Sequence, residues 1–386
     1  MELKHKSFFI LIAIILGIGI GFLIWRILSP AIGRGVFYYR VEGDKANLFL
    51  LKNSHSDKKI VSLPAREIDP GDFRPPKRSY VSNSRKEMIY FKQIAEVPLE
   101  NPSGNQDFVA MRVIYKPMLV NLKNGEEKEI SQQLDSAGLV FSPDDSEIAW
   151  IKQIDEATYQ KIEESGKKRE LWISKPNGDD ARLLASFDEN VVLLQRWAGD
   201  FIYFQGLWDV TNHSMGRINV KTKEVQNMIP QYCEEYLENC KNIEFSASGN
   251  KFLYEIISEK DGKNITELYL GDFDKKEFLA VLTTDVIGDR LWIDDGEKFF
   301  YTEQEEDKNG NVVEKIHLVE IKNQTDDTLY QGSYISELTF DSGGRYLYFL
   351  EKQKTGENFD LRKLDLKTRE SKIILTDNYN KILLIR

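Results

Sequence analysis

The sequence predicts an all-β protein, a seven-bladed β-propeller of four-stranded antiparallel blades, preceded by one N-terminal transmembrane helix. Three features predict it: a ten-residue pattern that returns along the chain, further strands after each copy, and an uncharged apolar run near the start. Recurrence about every 50 residues indicates a repeat array, in which stacked units bury faces that no unit could bury alone.

The repeated pattern is clearest in FSPDDSEIAW, residues 141–150. It returns at 245–254 as FSASGNKFLY, at 292–301 as WIDDGEKFFY and at 340–349 as FDSGGRYLYF. Aromatic or β-branched residues flank a turn of Asp, Asn, Ser, Pro and Gly, which is typical of two strands joined by a tight turn. Looser copies are VSNSRKEMIY, WAGDFIY and VFYY. The tenth position of the pattern is aromatic throughout, as Tyr38, Tyr90, Trp150, Tyr203, Tyr254, Tyr301 and Phe349.

A third and a fourth strand follow in every unit. They are clearest in residues 170–186, ELWISKPNGDDARLLAS, where Asn-Gly predicts the hairpin turn. Four-stranded units repeated in this way predict a propeller over residues 36–386. The first unit lacks its innermost strand, and residues 379–386, YNKILLIR, form a lone strand. We expect this strand to complete the first blade and remove an exposed sheet edge. Six or eight blades remain the alternatives, since some copies are weak.

These repeats carry a resemblance to a known family. FSPDDSEIAW followed by LWISKPNGDDARLLAS resembles the repeat of TolB-like propellers, and more broadly WD40-like repeats. The TolB-type repeat is shared with the propeller domains of prolyl-oligopeptidase relatives. The resemblance covers most of residues 35–386 and implies a fold more specifically than a function. Those relatives carry a hydrolase domain beside the propeller, whereas this chain ends with its last strand, so peptidase activity is not implied.

The start of the chain predicts a membrane anchor. Residues 8–28 should form the transmembrane helix, between a cytoplasmic N-terminus (1–7) and a linker (29–35). FFILIAIILGIGIGFLIW carries no charge, and Lys4 and Lys6 precede it. The positive-inside bias then places the propeller outside the cytoplasm, on a single-pass protein of the cell membrane. The alternative is a cleaved signal peptide, which needs a shorter apolar core and a small-residue cleavage site.

Composition restricts the partners and the redox state. With 62 acidic and 52 basic residues, the chain has a formal net charge of −10, which disfavours nucleic-acid binding. The chain has only two cysteines, Cys233 and Cys240. Outside the cytoplasm they are a candidate disulfide, which requires a bent loop because a continuous helix would hold them too far apart. Two free thiols are the alternative.

The connections of a propeller divide between two faces. Turns joining first to second and third to fourth strands share one end, the short-turn face. Second-to-third connections and the crossings between blades share the other, the long-loop face. Every long connection falls on the long-loop face, where repeat proteins place binding insertions. These connections are residues 65–78, 94–116, 154–169, 206–216 and 230–241.

The long-loop face should therefore bind a protein or peptide partner. The short linker holds the short-turn face against the bilayer, so the long-loop face points away from it. Aromatic and apolar side chains in the long connections are candidate anchors, because a few buried aromatics dominate most interfaces. The alternative for each is packing onto the blades. The candidates are Phe73, Leu99, Phe108, Trp208, Tyr232 and Tyr236.

No catalytic residue, metal site or cofactor is predicted. The four histidines show no ligand spacing, and the chain has neither a nucleophile elbow nor a phosphate-binding glycine loop. EDKNGNVVE, residues 306–314, has oxygen ligands spaced as in a calcium loop. Val312 and Leu318 stand where that loop needs glycine and glutamate, so a hairpin turn is predicted.

The function predicted is that of a membrane-anchored, non-enzymatic scaffold with its binding surface on the long-loop face. One alternative is a channel-centred hydrolase or lyase, with carboxylates and a histidine converging at the channel mouth. A surface carbohydrate-binding module is another, and it would expose flat aromatics such as Trp208.

Overall fold

A computed structural model describes most of the chain after residue 35. The described residues are 36–42, 45–53, 56–64, 79–98, 111–132, 134–152, 169–187, 191–207, 213–228, 240–260, 263–284, 286–293, 296–306, 308, 312–341, 344–353, 358–376 and 382–384. Within these ranges the regular structure is 28 β-strands in seven four-stranded antiparallel sheets. The predicted seven-bladed propeller is confirmed.

The strands follow one another blade by blade. Blade 1 contains β1 (Val36–Glu42), β2 (Lys45–Asn53), β3 (Ser56–Pro64) and β28 (Ile382–Leu384). Blade 2 contains β4 (Ser79–Val81), β5 (Glu87–Pro98), β6 (Met111–Asn121) and β7 (Glu127–Glu129). Blade 3 contains β8 (Leu134–Phe141), β9 (Ile148–Lys152), β10 (Arg169–Ser174) and β11 (Arg182–Phe187). Blade 4 contains β12 (Val191–Ala198), β13 (Phe201–Leu207), β14 (His213–Asn219) and β15 (Val225–Met228).

The last three blades have the same order. Blade 5 contains β16 (Cys240–Phe245), β17 (Lys251–Lys260), β18 (Lys263–Asp272) and β19 (Glu277–Thr284). Blade 6 contains β20 (Ile287–Trp292), β21 (Lys298–Glu306), β22 (Val312–Glu320) and β23 (Thr325–Gly332). Blade 7 contains β24 (Ile335–Phe340), β25 (Tyr346–Lys352), β26 (Phe359–Asp365) and β27 (Ser371–Thr376).

The ring closes as predicted, with the last strand in the first blade. β28 pairs antiparallel with β1, with Leu384 opposite Tyr38 and Ile382 opposite Arg40. It also contacts β24, the first strand of blade 7. First strands of neighbouring blades contact one another elsewhere in the ring too, so this set of strands surrounds the axis. β28 therefore supplies the innermost strand of blade 1.

The core lies between the blades. Each of seven hydrophobic clusters combines side chains from two adjacent sheets, and one of them joins Tyr38 of blade 1 to Tyr348 of blade 7. The seven tenth-position aromatics all lie on the second strand of their blade and are at most 3% exposed. Fully burying one large aromatic is worth several kcal/mol (about 3–5 by truncation), so these positions hold the blades together.

The ten-residue pattern also encodes its own turn. Its second residue accepts backbone N–H groups across the turn: Ser142 Oγ from Glu147 (3.0 Å), Ser246 Oγ from Lys251 (3.3 Å) and Asp341 Oδ1 from Tyr346 (2.9 Å). Its fifth residue is left-handed, which favours glycine and tolerates aspartate. The fifth residues are Arg85 (φ 55°), Asp145 (61°), Gly249 (77°), Gly296 (86°) and Gly344 (64°).

Two predicted connections are shorter in the structure than the sequence suggested. Residues 94–98 belong to β5 and 111–116 to β6, with Pro98 opposite Met111. In blade 4, Gly206 pairs with Ser214, so β13 and β14 occupy much of the predicted connection 206–216. In a paired strand the backbone N–H and C=O groups bond to each other, whereas in a loop many of them bond only to water. Extending the two hairpins is therefore favourable. The predicted turn after Glu306 is confirmed, because Glu306 pairs with Val312.

The membrane anchor lies outside the described residues. No helix among the residues that the structure describes has the length and apolar character needed to cross a bilayer. Residues 1–35, with the predicted transmembrane span, and the boundaries drawn there are untested and stay predictions.

Candidate functional site: the long-loop face

The antiparallel order of the strands sends all five long connections to one end of the propeller. They follow β3, β5, β9, β13 and β15. Three of these are second strands leading to third strands, and the other two are outermost strands leading to the next blade. This arrangement is the one expected from the sequence, although two of the connections are shorter than predicted.

The predicted anchor residues cannot be placed on this face. Phe73, Leu99, Phe108, Trp208, Tyr232 and Tyr236 lie outside the described residues, as does Cys233. Cys240 is the first residue of β16, and only its backbone is described. The anchor residues and the disulfide therefore stay predictions.

Other apolar side chains are exposed at this end. Ile94 is 48% exposed on β5, and Val312 is 53% exposed at the start of β22. Val286 and Tyr334, which directly precede β20 and β24, are 46% and 50% exposed. Their exposure is not explained by packing within the blades, and three of the four lie around blades 6 and 7.

Blades 6 and 7 enclose a cavity at this end. Its volume is about 240 Å³, and its walls come from the starts of β20, β22 and β24 and from the end of β21. The lining combines two carboxylates with an aromatic ring, an amide, a hydroxyl and aliphatic groups. The lining residues are Val286, Gly288, Asp289, Gln304, Glu314, Tyr334, Ile335 and Ser336.

The two carboxylates of the cavity also fasten blade 7 to blade 6. Glu314 Oε2 accepts the backbone N–H of Ile335 at 2.7 Å. Asp289 Oδ2 accepts the N–H groups of Glu337 and, at 3.2 Å, Leu338. These donors lie where β24 departs from regular pairing, and Glu337 has a φ of 59°. Asp289 of blade 6 therefore accepts hydrogen bonds from the backbone of blade 7 at the point where the pairing of β24 is irregular.

Glycine is required at position 288 for this close approach. A Cβ there would overlap Thr302 Oγ1, which accepts the backbone N–H of Asp289 at 3.0 Å. Thr302 is fully buried. Gly288 thus lets the start of β20 lie directly on β21 and fixes the position of Asp289.

A third carboxylate holds the crossing from blade 6 to blade 7. Glu351 on β25 accepts the N–H of Ser333 at 3.1 Å and the hydroxyl of Tyr330 at 3.0 Å, and it forms an ion pair with Arg362. The backbone carbonyl of Tyr334 accepts the N–H of Lys352 at 2.8 Å. Hydrogen bonds to Glu351 and Lys352 of β25 therefore hold the backbone at Ser333 and Tyr334, while the Tyr334 side chain is exposed.

The electrostatic field at this junction is negative. Burial raises the pKa of Glu314 above its ordinary value, and the neighbouring Asp289 carboxylate raises it further. Burial also raises the pKa of Tyr334, and the charges of Glu314, Asp289 and Glu337 add to that effect, whereas the positive charge of Lys352 acts against it. A hydroxyl on which three carboxylates act in the same direction lies in a region that favours a positive charge.

His317 is the one histidine whose side chain the structure describes, and it lies within blade 6 rather than at the channel mouth. His213 and His317 lie on third strands, β14 and β22. His317 Nδ1 lies 3.0 Å from Asp326 Oδ1, and Tyr301 donates to Asp326 Oδ2 at 2.7 Å. Burial alone would raise the pKa of Asp326, but these two hydrogen bonds outweigh it and lower the pKa. The cluster therefore ties together three outer strands of blade 6. Among the described residues, no group of three or more ligating side chains could hold a metal ion.

The fold resembles those of several solved propeller proteins. No model of a known protein family matches the chain, and no curated protein matches it. A prolyl endopeptidase matches with a TM-score of 0.57 and 12% identity over 92% of this chain and 50% of that one. An oligogalacturonate lyase in complex with manganese matches with a TM-score of 0.54 and 12% identity over 84% of each chain. TolB from Acinetobacter baumannii matches with a TM-score of 0.44 and 12% identity, covering 90% of this chain and 81% of that chain.

At this identity the likeness shows the fold alone. The fold implied by the TolB-type repeat is confirmed, and TolB proteins are among the structures that match. The chain spans half the length of the prolyl endopeptidase. The prolyl endopeptidase and the oligogalacturonate lyase are only 12% identical to this chain and do not establish an activity for it, so the function has to be argued from the site.

Proposed function

We propose that the chain is a non-enzymatic scaffold that binds a protein or peptide partner on its long-loop face and is held at the membrane by residues 8–28. One observation supports it above the others. The long connections leave the sheets at the same end where Ile94, Val286, Val312 and Tyr334 expose apolar surface. Long connections gathered at one end of a rigid fold, with exposed apolar side chains beside them, suit a protein interface. The other large exposed apolar side chains among the described residues lie on the outermost strands β11, β15, β19 and β27.

The experiment replaces residues 99–110 with an Asn-Gly turn in the membrane-anchored protein. Pro98 and Met111 already face each other in the β5–β6 hairpin, so a two-residue turn can join the strands without disturbing the sheet. The partner is captured by crosslinking and pull-down, and thermal unfolding reports on the fold. We expect the replacement to abolish capture while leaving the unfolding transition unchanged.

A matched pair of point variants compares the two faces. Tyr334→Ser removes an apolar side chain that is 50% exposed at the long-loop face, and Leu183→Ser removes one that is 40% exposed near the short-turn face. Capture should weaken in Tyr334→Ser and persist in Leu183→Ser. Undiminished capture by both the loop replacement and Tyr334→Ser would overturn the proposal.

The membrane part has its own test. Protease added to intact cells should cut the propeller if it lies outside the cytoplasm, and deletion of residues 8–28 should release it from the membrane fraction. A propeller that is protected from protease, or that stays with the membrane after the deletion, contradicts the anchored topology.

A further inference from the structure

We propose that the cavity between blades 6 and 7 binds a cationic side chain of the partner, with an arginine guanidinium as the best fit. The inference rests on the proposed function and specifies the chemistry of the partner at one point of the long-loop face. It is carried by the shape of the cavity, by the charge of its walls and by the way those walls are held.

The size of the cavity suits one side chain. Its volume of about 240 Å³ lies below the roughly 300–1,000 Å³ of pockets that take a drug-sized ligand. Tyr334 and Val286, both about half exposed, form apolar parts of its lining. A long side chain can enter past these residues with its aliphatic stem against them and its charged group at the carboxylates.

The charge of the cavity selects a cation. Asp289 and Glu314 lie in its walls, and no lysine or arginine is among its lining residues. Glu314 is 6% exposed, so its negative charge is poorly hydrated, and its raised pKa reflects that burial. A cation brought beside it would compensate for the lost hydration, whereas an anion would add repulsion in a poorly screened site.

Arginine fits better than lysine because of the mixed lining. Its planar group can donate to two oxygens at once and also stack on an aromatic ring. The cavity offers the carboxylates, the Gln304 amide and the Ser336 hydroxyl as acceptors and the Tyr334 ring as a flat surface. An ammonium group is a more compact and more strongly hydrated charge, which makes less use of that ring.

The cavity is held in place before any ligand arrives. The hydrogen bonds of Glu314 and Asp289 to the start of blade 7 fix both carboxylates, and Gly288 fixes the backbone next to them. A ligand therefore pays little to order the site on binding. In these bonds both carboxylates accept and the backbone donates, so a cation meets acceptor groups that are already positioned.

The test uses two capped amino acids that differ only in charge. The probes are Nα-acetyl-arginine N-methylamide and the matching citrulline derivative, a neutral molecule of nearly the same shape. Binding to the full chain is measured at low salt by NMR titration. We expect the arginine probe to bind at least about tenfold more tightly than the citrulline probe, as a charge-assisted contact requires.

Glu314→Gln and Glu306→Gln provide the matched variants. Glu314→Gln keeps a side-chain oxygen for the Ile335 N–H while removing the charge from the cavity. Glu306 is exposed at the same end on β21 and does not line the cavity. Glu314→Gln should weaken binding of the arginine probe about tenfold, and Glu306→Gln should leave it within about twofold.

A rim variant keeps the proposal testable if Glu314→Gln fails to fold. Val286→Lys places an ammonium at the mouth on an exposed residue, where it should abolish binding of the arginine probe by repulsion. Equal binding of the two probes, or unchanged binding in Val286→Lys, would overturn the inference. The inference would also be overturned if Mg²⁺ shifted the NMR resonances of the cavity residues while the arginine probe did not.

The failure of this inference can be told apart from failure of the proposed function. If the 99–110 replacement abolishes partner capture while Val286→Lys does not, the long-loop face binds a partner without a cation in this cavity. If neither change affects capture, both the inference and the proposed function are wrong.

Discussion

The two faces of the propeller are built on different principles. On the short-turn face, the same ten-residue pattern returns from blade to blade, and its second residue satisfies the backbone of its own turn, as Ser142, Ser246 and Asp341 do. On the long-loop face, at the junction of blades 6 and 7, Asp289 and Glu314 of blade 6 satisfy the backbone of blade 7. Asp145 makes a contact of this second kind on the short-turn face, in addition to the bonds within its turn. The repeated turns are held by bonds within each turn. The irregular junction of blades 6 and 7 instead carries a cavity and exposed apolar side chains.

The largest effect on stability is expected from a contact between two blades on the short-turn face. Asp145 accepts the backbone N–H groups of Asn83 and Ser84, both at 2.7 Å, and so joins blade 3 to blade 2. Asp145→Ala should lower the free energy of unfolding by about 2 kcal/mol, because three hydrogen bonds from Asn83 and Ser84 to a charged group are lost at a partly exposed site. Alanine also tolerates the left-handed backbone at this position (φ 61°) less well than aspartate, which adds to the loss. Chemical denaturation measures the loss.

Asp144→Ala is the control for that prediction. Asp144 has the same charge but bonds only within its own turn, to Ser142 and Ser146, and these hydrogen bonds lower its pKa to about 2. It should cost clearly less than Asp145→Ala. Equal losses would show that local turn bonds, rather than the contact between blades, determine stability on this face.

A smaller effect on stability is expected from Glu314 at the long-loop face. Its pKa is raised, whereas that of Asp144 is lowered, so the two groups change stability with pH in opposite directions. Burial holds the pKa of Glu314 above its ordinary 4.5, so the folded state binds a proton more tightly than the unfolded state. This contribution to stability is present at low pH and falls as pH rises from the ordinary value through the raised one. Other carboxyl groups with lowered pKa values, such as Asp144 and Asp326, contribute the opposite slope, so the test is the difference between two proteins. The free energy of unfolding of the parent protein minus that of Glu314→Gln should decline as pH rises across this range. Identical pH profiles would mean that Glu314 is not desolvated.

The smallest effect on stability is expected in the turns between third and fourth strands on the short-turn face. Gly125, Lys223, Lys276 and Arg369 occupy the same left-handed position in turns between third and fourth strands, where each N–H bonds back four residues. A side chain at that position is strained, so Lys276→Gly should stabilise the protein by up to about 1 kcal/mol. Lys275→Gly, next to it, should not. A thermal midpoint that falls in Lys276→Gly would contradict the strain.

The blade count and the ring closure could be predicted because they are written as local patterns. The tenth-position aromatics each mark a second strand, and YNKILLIR marked the missing strand of blade 1. Strand lengths were harder: β4 and β7 have only three residues each, and β5 and β6 extend into a predicted loop. Period and turn residues indicate where strands begin, whereas pairing across the sheet determines where they end.

The cavity could not have been found from the sequence. Asp289, Glu314 and Tyr334 come from three separate segments of two blades and meet only because the blades pack side by side. No spacing rule connects them. The available signals were weak: a glycine directly before Asp289, and a tyrosine in a crossing between blades that would otherwise be expected to be polar.

The closing strand has a consequence for how the protein is made. β28 is the last strand of the propeller in chain order, and its partner β1 is the first. During synthesis, the inner edge of the first sheet must wait, without its permanent neighbour, until all the others have been translated. An open edge of that kind is prone to pairing with other chains. The time for which this edge of β1 stays unpaired therefore grows with the translation time of the whole propeller. Slowing translation near the 3′ end of the coding sequence should increase aggregation more than slowing it near the 5′ end.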